Sequence, residues 1–446
     1  MAATADDVAA RPHLLRILGA VFGVAVGVGS MIGAGILRTP GSVAHSVPAY
    51  WWIIGLWAFA AVHCALTANI WAELFTALPK AGGPYVPLRR IFGNLAGLLA
   101  GVCDALNSSA SIAALALAGV DFLSLTWPAA HGYPVTLASA IIAALFGVNA
   151  LGIREGRAAQ IAMTAIKVGL LLLIVLATSL LPPADPVPVR DLAPAIGLAG
   201  IIAAYQLVSG AYAGWSNGVY FAEEDIAPSR NIPRALFGSI VGVGLLYLVI
   251  NFCLLRVNSV AGLGAQDIPV GALIARLTGG AGPALLGITG FALIIGCCHA
   301  NMMVAPRIIF GLSRDGLLPR IGAQVSRSGT PQVALVLITL ASAALAMTGS
   351  FEAAFRLVAT TGVALALVLD LAFFALRLRE PALPRPYRAR FYPWLPALAV
   401  LLDFAFLASI LWFDPLSGLI TLGTLGGVSI VWLAVRRLRR GAPQAT

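Results

Sequence analysis

The sequence predicts an all-α integral membrane protein of about 12 transmembrane helices, with two inverted five-helix repeats, helices 1 and 6 broken, and two C-terminal helices. Three observations lead there. Of 446 residues, 60% are hydrophobic and 10% charged, whereas a soluble globular domain carries about 25% charge. Apolar stretches of roughly 20 residues, enough to cross a hydrocarbon core of about 30 Å, recur about twelve times. Two of them, the first and the sixth, are interrupted by glycine and polar residues at matching places.

In chain order the spans are expected at 17–37, 51–78, 94–124, 134–152, 159–181, 195–221, 235–256, 282–305, 331–348, 353–376, 394–413 and 416–435. Polar, Pro-rich punctuation separates them, clearest at Leu181–Asp191 (LPPADPVPVRD) and Arg379–Pro393 (REPALPRPYRARFYP). This divides the chain into an N-terminal tail (1–16), a first repeat (17–181), a second repeat (195–376), helices 11 and 12 (394–435) and a basic tail (436–446). An odd number of spans per repeat inverts the second relative to the first. An even total places both termini on one side. Roughly 22 of the 28 Lys and Arg residues fall on that side, including Lys80, Arg89, Arg90, Arg314, Arg320, Arg385, Arg388, Arg436, Arg437, Arg439 and Arg440, which marks it as cytoplasmic in a cell (inner or plasma) membrane.

The net charge of +10 is therefore a topology signal with contact to anionic headgroups as a by-product. It does not point to nucleic acid, because no basic stretch is long or aromatic-interleaved enough. Cys64, Cys103, Cys253, Cys297 and Cys298 lie in apolar runs without CxxC spacing, so packing roles are expected and neither a disulfide framework nor a metal site. No short apolar core with a small-residue cleavage site precedes the first span, so no removable leader is expected. HExxH and GxxxxGK[ST] do not occur, which argues against a zinc-dependent membrane enzyme and an ATP-driven pump. No cofactor is expected.

The first interruption is GVGSMIGAGILRTP, Gly27 to Pro40, with Gly29, Gly33 and Gly35 near its middle. Mid-helix glycine costs about 1 kcal/mol relative to alanine, and backbone freed inside a bilayer must find a partner other than lipid. A close-packing seam of small residues would explain this string by itself. The sixth span, AAYQLVSGAYAGWSNGVYFAEE (Ala203–Glu224), is interrupted in the same way at Ser209–Gly214. Breaks at matched positions of inverted repeats favour a midplane binding site of a secondary transporter.

The chain resembles the amino acid permeases of the amino acid/polyamine/organocation (APC) superfamily, which share the leucine-transporter-type inverted-repeat fold. The resemblance is carried by GSMIGAGILRTPG (Gly29–Gly41), AELFTALPKAGGPYVPLRRIFG (Ala72–Gly93), YAGWSNGVYFAEEDIAPSRNIPRAL (Tyr212–Leu236) and APRIIFGLSRDGLLP (Ala305–Pro319), followed in order by TPQVAL (Thr330–Leu335) and LPRPYRARFYP (Leu383–Pro393). It implies a secondary active transporter of amino acids, neutral and sodium-independent, proton-coupled or exchanging. A polyamine exchanger, which would want an acidic residue facing the pocket, and a transporter-fold nutrient sensor are the alternatives.

Unwinding at Gly33, Ala34 and Gly35 leaves amides at the start of the outer half-helix, where the dipole favours a substrate carboxylate. Carbonyls at Ser209, Gly210 and Ala211 face the opposite way and suit an ammonium group. By resemblance the contact positions are Met31, Ala34 and Gly35 in the first span and Gly210, Ala211 and Ala213 in the sixth. Family members often carry Ser or Thr at the place of Ala34 and a bulky aromatic gate at the place of Gly210. The departure suggests a roomier pocket, or a gate supplied by Tyr212 or Trp215, for both of which helix packing is the alternative.

Lys167 lies inside the fifth span, and intramembrane charges are functional suspects. In similar sodium-independent permeases a lysine here takes the space of a sodium ion. That reading sets Lys167 beside Gly29 and Ser30, either titrating with proton coupling or staying charged as a brace; the competing reading is snorkelling to the surface. Asp104 and Asn107 are one turn apart in the third span, while His63, His299, Asp370 and Asp403 read as isolated. Glu73, Glu223, Glu224 and Asp225 are expected near Arg230, Arg234, Arg314 and Arg320 at an inner gate. GGPYVPLRRIFG is expected to lie along the membrane surface. The partners implied are an amino acid, the lipid bilayer and, through Lys167, protons.

Overall fold

The computed structural model describes residues 14–184, 196–349 and 351–441. Among them every named element is helical, and an isolated bridge joins Leu18 to Asp225. The first span is two helices, α1 (Ala20–Met31) and α2 (Ala34–Ser46), bent by 46° across Ile32 and Gly33. Both linking residues are extended, so the carbonyls preceding them lose their helical partners. There follow α3 (Tyr50–Ala77), α4 (Tyr85–Phe92), α5 (Asn94–Thr126), α6 (Pro134–Leu151) and α7 (Ile153–Thr178).

The sixth span begins as α8 (Leu198–Ala211), breaks at Tyr212–Ser216, and resumes as a 3-10 segment at Asn217–Phe221. There follow α9 (Pro228–Val257), α10 (Val260–Gly264), α11 (Pro269–Thr278), α12 (Gly282–Arg314), α13 (Gln332–Ala346), α14 (Phe351–Arg379), α15 (Trp394–Phe413) and α16 (Pro415–Gly441). Proline opens α6, α9 and α11, where its missing N–H costs nothing. Among the described residues eight helices are singly long and apolar enough to span a membrane, and the bent pair makes a ninth. The shorter apolar helices Leu198–Ala211, Gln332–Ala346 and Gly418–Ile430 occupy the remaining expected spans. Most of the Leu181–Asp191 punctuation lies outside the described residues, as do the ends of both tails.

Helix pairing follows the breaks. The outer half of span 1, α2, packs on the first half of span 6, α8, while α1 packs on the 3-10 half of span 6. α3 packs on α9, α5 on α12 and α6 on α13. The α5–α12 seam is close because small residues permit it: a Cβ on Gly290 would stand 2.0 Å from the Phe122 ring, and one on Gly101 2.7 Å from Leu312.

Two apolar cores form, one above the other. One contains Phe22 and Val26 of α1, Ala68–Phe75 of α3, Leu236 and Ile240 of α9, and Met302–Ile308 of α12. The other contains Met31 and Ile36 of the first span, Trp57 and Ala60 of α3, Val243 and Tyr247 of α9, and Leu293 and Ile294 of α12. The helix breaks belong to the second core, in which Met31, Ile32, Ala211 and Tyr212 are buried. Around the outside, α6, α7 and α15 present apolar side chains such as Leu173, Leu176 and Trp412 outward, as lipid requires. The expected surface helix, α4, instead buries Tyr85, Val86, Pro87, Leu88 and Ile91 and packs on α5. Its apolar face is covered by protein rather than by lipid.

Candidate substrate site at the helix breaks

The break in the first span frees backbone carbonyls inside the protein, and α7 supplies the donor. Lys167 is fully buried, and its Nζ donates to Gly29 O at 2.7 Å and Ile32 O at 2.8 Å, with Cys297 Sγ at 3.2 Å. An ammonium taken from water costs several kcal/mol unless it is well hydrogen-bonded, and here the unwound backbone provides the acceptors. The stem passes over Gly296 of α12, where a Cβ would stand 2.4 Å from Lys167 Cε. The lysine thus turns inward and does not reach the surface. One turn earlier, Thr164 Oγ1 donates to Ala25 O at 2.8 Å, and Gln160, bonded to His299 Nδ1 at 2.8 Å, reaches the same carbonyl. Gly29 is obligatory at this crossing, since a Cβ would meet Gln160 Nε2 at 2.2 Å and Thr164 Oγ1 at 2.4 Å.

Ser30 is not among the hydrogen-bond partners of Lys167. Its Oγ accepts from Asn217 Nδ2 at 2.9 Å, which ties the first break to the second half of span 6. Gly214 takes φ +97°, and a Cβ there would stand 2.5 Å from Ser30 Cβ, so the second break wraps closely round the first. Gly35 approaches α8 in the same manner, 3.0 Å from Ala211 Cβ by the same test, and Gly33 faces Cys297 Sγ at 3.0 Å. The glycines of the first break therefore also act as a packing seam.

Tyr247 of α9 joins the two breaks. Its buried hydroxyl lies 2.8 Å from Met31 O and 3.2 Å from Ala211 O and donates its single proton between them. The Tyr247 ring packs edge-on against Trp57 and Tyr212, and the Tyr212 hydroxyl donates to Trp57 O at 3.1 Å. Tyr212 is thus buried in the core, while Trp215 is half-buried with its ring 5.2 Å from that of Trp71. The carbonyls of Ser209 and Gly210 accept from the amides of Tyr212 and Ala213 at 3.1 and 3.2 Å.

Open space remains beside these groups. Gly210 and Ala213 are exposed, Ala34 and Ser209 half-buried, and nothing lies within 4 Å of a Cβ built on Gly210. The leading amides of α2, Gly33 to Ile36, have no helical acceptor, and the N-cap residue Gly33 supplies no side-chain cap. An anionic group is favoured there. Met31 contributes its carbonyl rather than its buried side chain.

Ile32, Tyr247, Asn217 and Cys297 belong to this constellation and were not singled out from the sequence. Cys297 reads as an apolar-helix residue, yet its Sγ lies 3.1–3.2 Å from the carbonyls of Gly29, Ser30 and Ile32. Only the fold brings those carbonyls to it. Of the other polar residues, Asp104 accepts from Tyr220 at 2.8 Å and Asn107 donates to Thr361 at 3.2 Å. His63, Asp370 and Asp403 are not isolated but meet one another, because α3, α14 and α15 bring distant positions to one level.

At the basic face Glu223 takes an expected partner, Arg314, while Glu73, Glu224 and Asp225 take others. Glu224 forms a two-pronged pair with Arg307 at 2.9 and 3.1 Å, both buried, and the guanidinium stands over the Phe221 ring. Glu223 pairs with Arg314 and accepts from Ala81 N at 3.0 Å. Glu73 holds Arg377 and Arg385, and Asp225 accepts from Ala227 N and Asn231. Arg230, Arg234 and Arg320 take no part in these pairs. Leu18 N donates to Glu224 O and Ile226 N to Leu18 O, closing the segment before α1 onto the segment after span 6. At the rim, Arg90 bonds Glu380 and thereby holds its carboxyl below the usual carboxylate range.

Among the described residues the fold is all-helical with apolar spans, a buried lysine holds the first of two broken helices, and Tyr247 bridges the breaks, an arrangement that defines a class, the polytopic carriers. The chain belongs to the amino acid permease family, whose profile matches residues 18–433, and so to the APC superfamily. It is 27% identical over 447 residues to the large neutral amino acids transporter small subunit 2 of Mus musculus, covering 95% of this chain and 81% of that one. It is 25% identical to the branched-chain amino acid permease BcaP of Bacillus subtilis, covering 95% and 94%. The serine/threonine exchanger SteT of Bacillus subtilis is 26% identical, covering 94% and 97%.

Proposed function

We propose that this amino acid transporter carries neutral α-amino acids by alternating access, without sodium, as a proton-coupled or exchanging carrier. The observation that carries the reading is Lys167, whose ammonium occupies the first break with Gly29 and Ile32 carbonyls as its ligands. A positive charge fixed there leaves no room for a sodium ion. The α-carboxylate sits at the amides of Gly33, Ala34 and Gly35, and the α-ammonium at the carbonyl end of α8, Ser209 to Ala211. Met31, Ala34, Gly210 and Ala213 border the side chain. The similarity to carriers named for large neutral, branched-chain and serine/threonine substrates supports a neutral substrate, as does the absence of a carboxylate among the described residues bonded to either break.

The two repeats at 17–181 and 195–376 provide the moving parts, with spans 1, 2, 6 and 7 rocking against the rest. The basic face, which holds the ion pairs of Glu73, Glu223 and Glu224, is the cytoplasmic side of a cell membrane, where both tails lie. Uptake of labelled amino acids into proteoliposomes, with and without sodium, tests this. Saturable uptake of a neutral amino acid in sodium-free buffer is expected; strict sodium dependence, or inhibition by putrescine but by no α-amino acid, overturns the reading.

A further inference from the structure

Three titratable side chains that the substrate site does not use meet between α3, α8, α14 and α15. Asp370 is 0% exposed, Asp403 6% and His63 5%. Asp370 Oδ1 accepts from Trp71 Nε1 at 3.1 Å, and Asp403 Oδ2 accepts from Thr67 Oγ1 at 3.3 Å. Asp403 Oδ1 lies 3.3 Å from His63 Nε2, and His63 Nδ1 meets the Tyr205 hydroxyl of α8. The remaining oxygen, Asp370 Oδ2, is buried and receives no N–H or O–H. Thr67 and Trp71 are one turn apart on α3, so the two carboxyls they bond lie beside the same turn of that helix.

Two buried carboxylates bonded to neighbouring turns of one helix repel in a low-dielectric medium, and a proton on one of them relieves the conflict. Among the described residues neither aspartate pairs with an arginine or lysine. The cations on the packed elements whose side chains are described have their own acceptors: Arg89 on Asp315, Arg90 on Glu380, Arg377 on Glu73 and Arg379 on Ile91 O. The other titratable neighbours are Cys64, beside Asp403, and from α5 Cys103 and Asp104, the latter bonded to Tyr220. The charge of the cluster is thus set by its own protons and by His63.

We propose that Asp370, Asp403 and His63 form a proton-binding site within the membrane, separate from the substrate site, that loads and unloads one proton as the protein changes conformation. Loading converts two neighbouring carboxylates into a carboxylic acid beside a carboxylate, and unloading returns that proton to water. His63, beside Asp403 Oδ1, balances the remaining negative charge when its imidazole is protonated. The coupling rests on the alternating-access reading, in which α3 and α8 move and α14 and α15 do not. Motion draws His63, Thr67 and Trp71 away from the two carboxyls and so changes their proton affinity. By linkage, proton occupancy biases the motion to the same extent.

Infrared titration of the reconstituted full chain, together with the pH profile of amino acid uptake, tests the site. The wild-type protein should show the C=O stretch of a protonated carboxyl at neutral pH, lost in Asp370→Asn and in Asp403→Asn. His63→Gln should shift the titration of that band, and Lys167→Ala should leave it in place. In both Asn variants the midpoint of the uptake profile should move by about one pH unit or more. No such band in the wild type, a band that survives both Asn substitutions, or wild-type uptake profiles in both variants would each overturn the proposal. Asparagine preserves shape and an acceptor, and the titrations are made in an Asp104→Asn background, which removes the buried carboxyl of α5, so that the band is assigned to the pair even where one variant does not fold. If the wild-type protein takes up no amino acid, the transport reading fails, while the infrared band still decides whether the aspartates hold a proton.

Discussion

Lys167 is held by two main-chain carbonyls and a thiol rather than by a carboxylate, so its charge is bound to the shape of the broken helix. Lys167→Ala removes the donor and leaves the Gly29 and Ile32 carbonyls buried without it, at about 1–3 kcal/mol each. The variant should insert and purify, show a lower thermal midpoint, and lose most uptake or its pH dependence. Wild-type rates with an unchanged pH profile would remove Lys167 from the coupling. Gly210 is the opposite case. It stands beside open space, so Gly210→Phe should fold normally and narrow the substrate range toward small amino acids in competition assays. Undiminished uptake of bulky substrates would show that Gly210 does not border the pocket.

At the scale of elements, the two broken spans are joined by atoms from a third helix. Tyr247 of α9 stands within hydrogen-bonding distance of Met31 O and Ala211 O, one carbonyl from each break. Tyr247→Phe keeps the ring contacts with Trp57 and Tyr212 and deletes only the donor. It should cost about 1–3 kcal/mol of stability, read as a fall in thermal midpoint, and should weaken substrate binding in a thermal-shift titration, since ligand stabilisation scales with affinity. The close approaches at Gly29, Gly35 and Gly214 serve the same end. Each brings backbone to within reach of its partner at a place where a Cβ has no room, so the glycine-rich strings are both a packing seam and the frame of the site.

For the whole molecule, the basic face is closed by pairs that cross between the segment after span 6 and α12. Glu224 and Arg307 are both buried, and removing one partner of such a pair costs about 3–5 kcal/mol because the other charge is stranded. Glu224→Gln should therefore lower the thermal midpoint more than Glu380→Gln, whose Arg90 partner is exposed at the rim, where such a pair contributes about 0–1 kcal/mol. It should also speed thiol labelling of a cysteine introduced at Ala222, which is buried beneath the closure. Equal stability and unchanged labelling would show that the pair does not hold this face shut.

Composition and the recurrence of roughly 20-residue apolar stretches determine the class of fold without reference to any contact, because an apolar stretch of that length crosses lipid as a helix that satisfies its own backbone. Glycine clusters locate the two breaks for a related reason, since a helix is interrupted where its residues resist it least. Family motifs, which are local strings, were legible in the same way. The partners of each freed group were not. That Lys167 would choose Ile32 O over Ser30, that Cys297 would lie against three carbonyls, and that Glu224 would pair with Arg307 depend on helix rotation and depth, which periodicity leaves open. His63, Asp370 and Asp403 are more than 300 residues apart at the extremes and read singly as isolated polar residues. They become one cluster only when α3, α14 and α15 pack at a common level, because contact between distant positions is a property of the assembled bundle and of no segment within it.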